Sequence, residues 1–394
     1  MGAVFDEGRL DDEDALRALD RGETLRALAG AGAQVRRTAA AAGEAGLDRL
    51  RDVEPRGVVV AAAGGSVAVA DLFEAVSRGA AALPVQSCSS GSLPGWVGAL
   101  DVVLAVSQSG RAAGTLALAA EAARRGAFLV TVGAADSPLA DVCARAHGVH
   151  VPIAVEGSSS RTSMWAQATP ALLAADAMGI ASTGQATLGE LADVLDAAAT
   201  DARPGSESFV NPAKVLAVEL AESTPIVLGD GPFGDVAARR AAAMIGRTGR
   251  LPVAHGCLPD AASQIVACFD GPLAPGDAGD PRDVGGSSGS GSRRVDDIFA
   301  DPFLDGPSRP PLRLIMLRDS SEGASHRLAD TVVSVAEDAG VRVSLVDAPS
   351  AHPLLRLAHH VALTDFAASY LALGFGFDPA TSPHVGMLRG ARGA

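Results

Sequence analysis

Two serines and a glycine with the chemistry of an anion site occur together in Ser107-Gln108-Ser109-Gly110. The apolar run at 102–106 predicts a strand of a parallel sheet, and residues 113–125 predict a helix. The four residues, here called the serine loop, therefore lead from a strand's carboxyl end into a helix, where open α/β sheets bind ligands. Helix amides and short hydroxyls can surround a phosphate, and Gly110 lets the backbone approach it. An ordinary polar turn is the alternative interpretation.

Another strand-to-helix turn, Gly64-Gly65-Ser66, follows the apolar run at 58–60. We call these three residues the glycine loop. The surrounding sequence lacks the Gly-x-Gly-x-x-Gly pattern, which argues against a dinucleotide-dependent dehydrogenase.

The scaffold that must position these loops is predicted from apolar runs alternating with helix-length segments. This order first occurs near residue 56 and returns after residue 206, which predicts the α/β class with two tandem, doubly wound parallel-sheet domains and flanking helices. Residues 162–200 predict Ala/Leu-rich helix, with a break at Thr169-Pro170. The expected organisation is a helical segment at 1–50, a first domain at 51–165, a helical connector at 166–205, and a second domain at 206–394 with a Gly/Ser-rich insertion at 270–311.

Composition excludes several classes of function. The net charge of −14 and the isoelectric point near 5.0 argue against a nucleic-acid partner, which needs a basic surface. No apolar stretch of about 18 residues predicts a membrane span, and no signal peptide is evident. The four cysteines form no Cys-x-x-Cys pair, so neither a metal nor another cofactor is expected. We expect a cytoplasmic protein.

Four segments resemble the bifunctional phosphoglucose/phosphomannose isomerase family of the sugar isomerase (SIS) superfamily. The glycine loop and the serine loop are similar to the family's Gly-Gly-Ser turn and phosphate loop. Arg161, which follows Ser160, is similar to the family's Pro-Arg-Ala-Ala segment. The stretch from Thr364 to Pro379 resembles its C-terminal helix and turn.

The resemblance implies a sugar-phosphate ligand, aldose–ketose isomerisation through an enediol, and a homodimer. It assigns sugar or phosphate contacts to Gly64, Gly65, Ser66, Ser107, Ser109 and Gly110. Arg161 would stabilise the negative enediol, as an oxyanion donor does. Arg389 falls where the family has a C-terminal lysine.

The chain also departs from the family pattern. Ala112 replaces the threonine of the phosphate loop, Arg247 stands where the family has its catalytic glutamate, and Ala262 replaces its histidine. An arginine cannot carry the proton, because its pKa exceeds about 12. His255 and Asp260 are candidate replacements for the acid and base.

Further candidates are Glu156, near Arg161, and the pair His359-His360. Two functions remain open: an isomerase acting on glucose, mannose or fructose 6-phosphate, and a non-catalytic sugar-phosphate sensor or regulator. The family resemblance favours the first. The retained serines with the replaced acid and base favour the second.

Overall fold

The computed structural model describes residues 4–154, 159–274, 310–319 and 324–392, with the backbone alone at 324, 325 and 388–392. Most of the predicted insertion at 270–311, and Glu156, lie outside the described residues.

Two sheets of parallel strands organise the chain. The first sheet has the order β2-β1-β3-β4-β5 and the second has the order β7-β6-β8-β9. The strands are β1 (Val58–Ala62), β2 (Val85–Cys88), β3 (Val102–Ser107), β4 (Phe128–Gly133), β5 (Val149–Pro152), β6 (Thr224–Asp230), β7 (Ala254–Leu258), β8 (Leu312–Leu317) and β9 (Arg342–Val346).

Strands β1 and β3 consist of buried residues throughout, which explains why they form continuous apolar runs rather than alternating patterns. The predicted α/β class with parallel sheets and flanking helices is confirmed. Strands β5 and β7 were not predicted, because His150 and His255 with Gly256 interrupt their apolar character.

Helices cover both faces of each sheet. They are α1 (Glu13–Leu19), α2 (Thr24–Ala29), α3 (Ala31–Glu44), α4 (Val67–Ser77), α5 (Ala113–Arg124), α6 (Pro138–Arg145), α7 (Met164–Ala177), α8 (Gly184–Asp201), α9 (Pro212–Ala221), α10 (Gly231–Met244), α11 (Ala262–Val266), α12 (Ala324–Asp338), α13 (Pro353–Gly374) and α14 (Pro383–Arg392), with a π-helical turn at Ile245–Gly249. None of these helices, over the residues described, is long and apolar enough to cross a membrane.

The predicted helix break at Thr169-Pro170 is wrong, because Pro170 lies inside α7. A proline there costs about 3 kcal/mol in an isolated helix. Nearly every side chain of α7 is buried, however, so tertiary packing outweighs this cost. The chain leaves the helix after Ala177 instead, where Gly179 adopts a positive φ of 68°.

One apolar core joins the two sheets. The helices α3, α4 and α7 on the first sheet and α9, α10 and α13 on the second contribute to the same cluster of buried side chains. The outer faces have separate cores, under α5 and α6 in the first domain and under α11 and α12 in the second. Helix α13 is buried on almost all sides, as expected of a helix at the centre of the molecule.

A buried ion pair lies at the junction of the two domains. Arg240 of α10 binds Asp365 of α13 in a bidentate geometry, with nitrogen–oxygen distances of 3.1 and 2.8 Å. The side chains are only 3% and 6% exposed. The Arg240 guanidinium also donates to the backbone carbonyl of Arg161, which ends the first domain's last loop. This pair therefore ties the two domains together.

Asp365→Ala should lower the free energy of unfolding by about 3–5 kcal/mol, because it leaves the Arg240 charge buried without its carboxylate. Urea unfolding measures the loss. Arg36→Ala, which removes the exposed pairs with Asp193 and Asp196, is the control and should change stability little. Equal effects of the two substitutions would contradict the assignment.

Asp71 of α4 lies beside α10 at the same junction. Burial raises the pKa of its carboxyl from 3.8 to about 6, and the charge of Arg239 offsets part of that rise. Since the folded-state pKa is the higher one, ionised Asp71 lowers stability as pH rises through this range, and the cost is complete above about pH 6.

Asp71→Asn should therefore stabilise the protein at pH 7.5 by about 1–2 kcal/mol, after allowance for solvent screening. The advantage should shrink at pH 4.5, where the wild-type carboxyl is mostly protonated. Urea unfolding at both pH values measures it, and an advantage that does not change with pH would contradict the raised pKa.

Candidate functional site

The glycine loop and the serine loop meet at one point of the first sheet. They follow β1 and β3, which are neighbours with Ala62 beside Val106. The strand order reverses between these two strands, so the connections leave towards opposite faces and open a crevice between them. Ligands of doubly wound sheets bind in this crevice.

The serine loop has a fixed backbone. Gly110 has a φ of 62°, and a side chain there would collide with Ser137. The Gly110 amide donates to the Ser107 carbonyl (2.9 Å), and the Ala134 amide donates to the Gln108 carbonyl (3.0 Å). The loop is thus held by the connection after β4, which pre-forms the site.

The hydroxyl of Thr115, in a residue only 1% exposed, is buried and has no hydrogen-bond partner among the described residues. The Ser107 side chain, in a residue 4% exposed, makes no hydrogen bond within the described residues either, but its oxygen is not fully buried. Thr115 lies in the first turn of α5, whose cap residue Ala112 offers no side-chain acceptor. Buried polar groups are normally satisfied, so the unpartnered Thr115 hydroxyl in the first turn of an uncapped helix makes this helix end a candidate anion site.

The exposed part of the loop adds a hydroxyl and a cation. The Ser109 hydroxyl accepts a hydrogen bond from the Arg111 amide at 3.3 Å. The Arg111 side chain is exposed immediately before α5. The sequence analysis did not identify Thr115 or Arg111 as site residues. The position of Thr115 in the first turn of the helix, and that of Arg111 directly after the serine loop, would have allowed their prediction.

The glycine loop is packed against the end of the first domain. Ser66 is 3% exposed, and its hydroxyl donates to Gln167 at 2.6 Å, so this serine is already engaged within the protein. A side chain on Gly65 would place its Cβ 2.5 Å from Ser160. The close approach of Ser160 therefore explains why this position is a glycine. Gly64 has a φ of 62° and forms the turn itself.

Arg161 is buried at the domain junction and is 5% exposed. Its guanidinium donates to the carbonyl of Pro379, in the turn that precedes α14. Arg389 lies on α14, but its side chain lies outside the described residues. Ser160, the residue before Arg161, packs against Gly65 of the glycine loop, whereas the Arg161 guanidinium is directed to Pro379.

Arg247, which the sequence resemblance aligns with the family's glutamate, approaches Ser160 from the second domain. Its Nη2 atom lies 3.5 Å from the Ser160 hydroxyl. It belongs to the π-helical turn after α10. Ala262 lies elsewhere, at the start of α11.

His255 and Asp260 are not joined to the serine loop. Both are exposed, with His255 on the edge strand β7 and Asp260 just after it. No hydrogen bond or ion pair within the described ranges links either residue to the loop. Between them, burial first and the Asp235 charge second raise the pKa of the Cys257 thiol to about 11, so this cysteine is not an activated nucleophile.

The other candidate histidines, His359 and His360, lie on α13 and pack within the second domain. His360 is 1% exposed and contacts the Arg318 carbonyl through Nε2 at 2.7 Å. Burial lowers its pKa to about 4, which keeps the ring neutral near pH 7. Burial also lowers the pKa of His359.

The equivalent edge of the second sheet is closed by its own side chains. Asp319, which follows β8, accepts a hydrogen bond from the Phe233 amide in the first turn of α10 at 3.3 Å. Arg356 donates to the same carboxylate at 3.2 Å, and the Asp319 amide donates to Asp230 at the end of β6. A carboxylate thus occupies the helix end and repels other anions.

A cavity of about 560 Å³, which neither loop lines, lies beyond the end of β5 and between α2, α3 and α7. Its buried polar groups already have partners: Gln34 donates to the Thr162 carbonyl (2.9 Å), and Thr38 donates to the Gln34 carbonyl (2.8 Å). It therefore offers a ligand fewer free donors than the serine loop. Within the described residues, no group of three or more His, Cys, Asp or Glu side chains could hold a metal.

Comparisons with known proteins agree with this architecture. Residues 209–391 match the family model of the bacterial phospho-glucose isomerase C-terminal SIS domain. No curated protein sequence matches the chain.

Solved structures share the fold at low sequence identity. A Silicibacter pomeroyi protein, named provisionally as a phosphosugar isomerase, is 20% identical with a TM-score of 0.61, over 91% of this chain and 99% of its own. A hypothetical protein from Thermus thermophilus is 15% identical with a TM-score of 0.64, over 96% and 93%. Glucosamine-6-phosphate deaminase from Thermotoga maritima is 12% identical with a TM-score of 0.58, over 92% and 98%.

These identities show a common fold. Residues 209–391 thus resemble a bacterial phospho-glucose isomerase C-terminal SIS domain, and the two parallel sheets with their flanking helices give the chain a fold consistent with tandem SIS domains.

Proposed function

We propose that the protein binds a sugar phosphate in the crevice between β1 and β3. The phosphate lies at the start of α5, against the serine loop. The observation that carries this proposal is the buried, unpartnered hydroxyl of Thr115 at an uncapped helix end, together with the Ser107 hydroxyl, which makes no hydrogen bond within the described residues. Three first-turn amides and two hydroxyls match the acceptor oxygens of a phosphate, even in an acidic protein.

The sugar would extend from this point towards the glycine loop and the domain junction. Gly64 and Gly65 keep that side open for the ligand, while Ser109 and Arg111 border the solvent side. A SIS domain in the second half of the chain and the fold shared with Thermotoga maritima glucosamine-6-phosphate deaminase support this ligand class. A homodimer and a cytoplasmic location stay predictions.

Aldose–ketose isomerisation is the second candidate, supported by the family match. The reaction needs a base that moves a proton between C2 and C1. No hydrogen bond in the described part of the chain joins a carboxylate or an imidazole to either loop. Arg247 at the position of the family's glutamate instead favours a binding protein that senses or regulates.

Thr115→Val should make the free protein more stable and should weaken its binding of a sugar phosphate. It replaces a buried, unpartnered hydroxyl with a methyl group of the same shape, which should raise the free protein's stability by up to about 1 kcal/mol. It should also weaken sugar-phosphate binding, as should Ser107→Ala. Glucose, mannose and fructose 6-phosphates should each be tested by thermal unfolding.

For the wild type, ligand at 100 times its Kd should stabilise by about 2.7 kcal/mol, a shift of several degrees in Tm. Ser334→Ala, on the exposed face of α12, is the matched control and should keep the full shift. The absence of a shift with every sugar phosphate, or a full shift in Ser107→Ala, would reject the site.

Turnover of the 6-phosphates should be at least about 10²-fold below that of a conventional isomerase, because the general base is replaced. A coupled assay between glucose or mannose 6-phosphate and fructose 6-phosphate measures it. Rapid turnover that fails in Asp260→Asn or His255→Asn would establish the isomerase with a displaced acid or base, and would overturn the sensor.

A further inference from the structure

The start of α5 has a positive side chain where a helix normally attracts a negative one. Arg111 lies two residues before Ala113, the first residue of the helix. The amides of a first helical turn give this end a partial positive charge, so a cation beside it is unfavourable. The first turn of α5 has no acidic residue, and Ala112 at the cap position offers no side-chain acceptor. The helix itself therefore does not offset the Arg111 charge.

The Arg111 guanidinium makes no hydrogen bond or ion pair within the part of the chain that the structure describes. Other exposed arginines of this acidic protein, such as Arg17 and Arg36, pair with carboxylates. The Arg111 backbone is nevertheless held, because its amide donates to the Ser109 hydroxyl at 3.3 Å. Arg111 is thus an exposed cation on an anchored backbone, next to the serine loop.

Two other helices of the chain begin with a carboxylate. In α1, the Asp12 carboxylate accepts hydrogen bonds from two first-turn amides, each at 3.0 Å. At α10, the Asp319 carboxylate accepts from the Phe233 amide and pairs with Arg356 at 3.2 Å. The start of α10 thus combines helix amides, an arginine and an anionic group. Among the described residues, the start of α5 has the amides and the arginine but no carboxylate.

Arg111 is close enough to act on an anion at the start of α5. Consecutive Cα atoms are about 3.8 Å apart, so the Cα atoms of Arg111 and Ala113 are separated by at most about 7.6 Å. An extended arginine side chain covers a distance of this order. The unpartnered hydroxyl of Thr115 belongs to the same first turn. The guanidinium can therefore reach an anion bound by this turn without a movement of the backbone.

The charge of the ligand determines how much Arg111 contributes to binding. A phosphate monoester has its second pKa near 6, so it carries nearly two negative charges at pH 8. A sulfate monoester has a similar tetrahedral shape and carries one. The attraction to a guanidinium grows in proportion to the charge, whereas amide and hydroxyl donors can bind the oxygens of either group.

We propose that Arg111 pairs with the phosphate at the start of α5 and makes this site select a doubly charged phosphate monoester over a singly charged ester. The bound phosphate neutralises both the guanidinium and the positive helix end. This inference rests on the proposed sugar-phosphate site and names the charge state that this site selects.

Matched ligand pairs test the proposal by titration calorimetry at pH 8. Glucose, mannose and fructose 6-phosphates are each compared with the corresponding 6-sulfate. For every hexose that binds, the wild type should prefer the phosphate by about tenfold or more. Arg111→Gln should reduce this preference by about threefold or more, the size expected for an ion pair at a partly exposed site. Arg111→Lys should keep most of it, because the charge remains.

Arg124→Gln is the matched control, because it removes the same charge from the exposed last turn of α5. It should leave the preference for phosphate within about twofold of the wild type. The Tm values of the free proteins give a second measurement that needs no ligand. Arg111→Gln should raise the Tm, because a cation leaves the positive helix end, and Arg124→Gln should lower it, because a cation leaves the negative end.

An unchanged preference in Arg111→Gln, or equal affinity of the wild type for phosphate and sulfate, would overturn this inference and leave the proposed function standing. A lower Tm of free Arg111→Gln would also overturn it, because the guanidinium would then stabilise the protein without a ligand. No binding of any hexose 6-phosphate to the wild type would overturn the proposed function itself.

Discussion

The buried pair of Arg240 with Asp365 is the interaction on which the rest of the site depends. The Arg240 guanidinium donates a hydrogen bond to the backbone carbonyl of Arg161. Ser160, which precedes Arg161, packs where a side chain on Gly65 would otherwise lie. The second domain therefore supports the segment that packs on the glycine loop, whereas the connection after β4 holds the serine loop. A charge pair this deeply buried is costly to break, which makes the junction rigid rather than a hinge.

The two sheets share an architecture but differ at their ligand edges. In the first domain, α5 begins without a side-chain cap and has an unpartnered hydroxyl, that of Thr115, in its first turn. In the second domain, the Asp319 carboxylate occupies the start of α10 and Arg356 neutralises it. Burial raises the pKa of Asp319, whereas the Arg356 charge favours its ionised form. A carboxylate therefore occupies the helix end at this edge of the second sheet, where the first sheet has an uncapped helix.

Much of the fold was accessible from the sequence, because strands buried on both faces form continuous apolar runs. The strands at 58–60 and 102–106, and the serine loop between strand and helix, follow from that pattern alone. The break at Pro170 was misplaced because burial of α7 overrides a local preference. The predicted Gly/Ser-rich insertion at 270–311 stays a prediction over residues 275–309, which lie outside the described residues.

Only part of the candidate site could be predicted from the sequence, for a different physical reason. Ser107 follows from its place at a strand end, but the partnerless state of Thr115 depends on packing that no local pattern encodes. The closing of the second sheet's edge by Asp319 depends on contacts between α10, β8 and α13. The proximity of Arg247 to Ser160 likewise joins residues from different domains.

The stoichiometry of binding tests the central claim most directly, because among the described residues the start of α5 has no side-chain cap, whereas the Asp319 carboxylate occupies the start of α10. Titration calorimetry with glucose 6-phosphate and with 6-phosphogluconate gives the number of ligands per chain. The account predicts one ligand per chain, lost in Ser107→Ala and retained in Ser334→Ala. Two ligands per chain, or one that Ser107→Ala does not weaken, would contradict it.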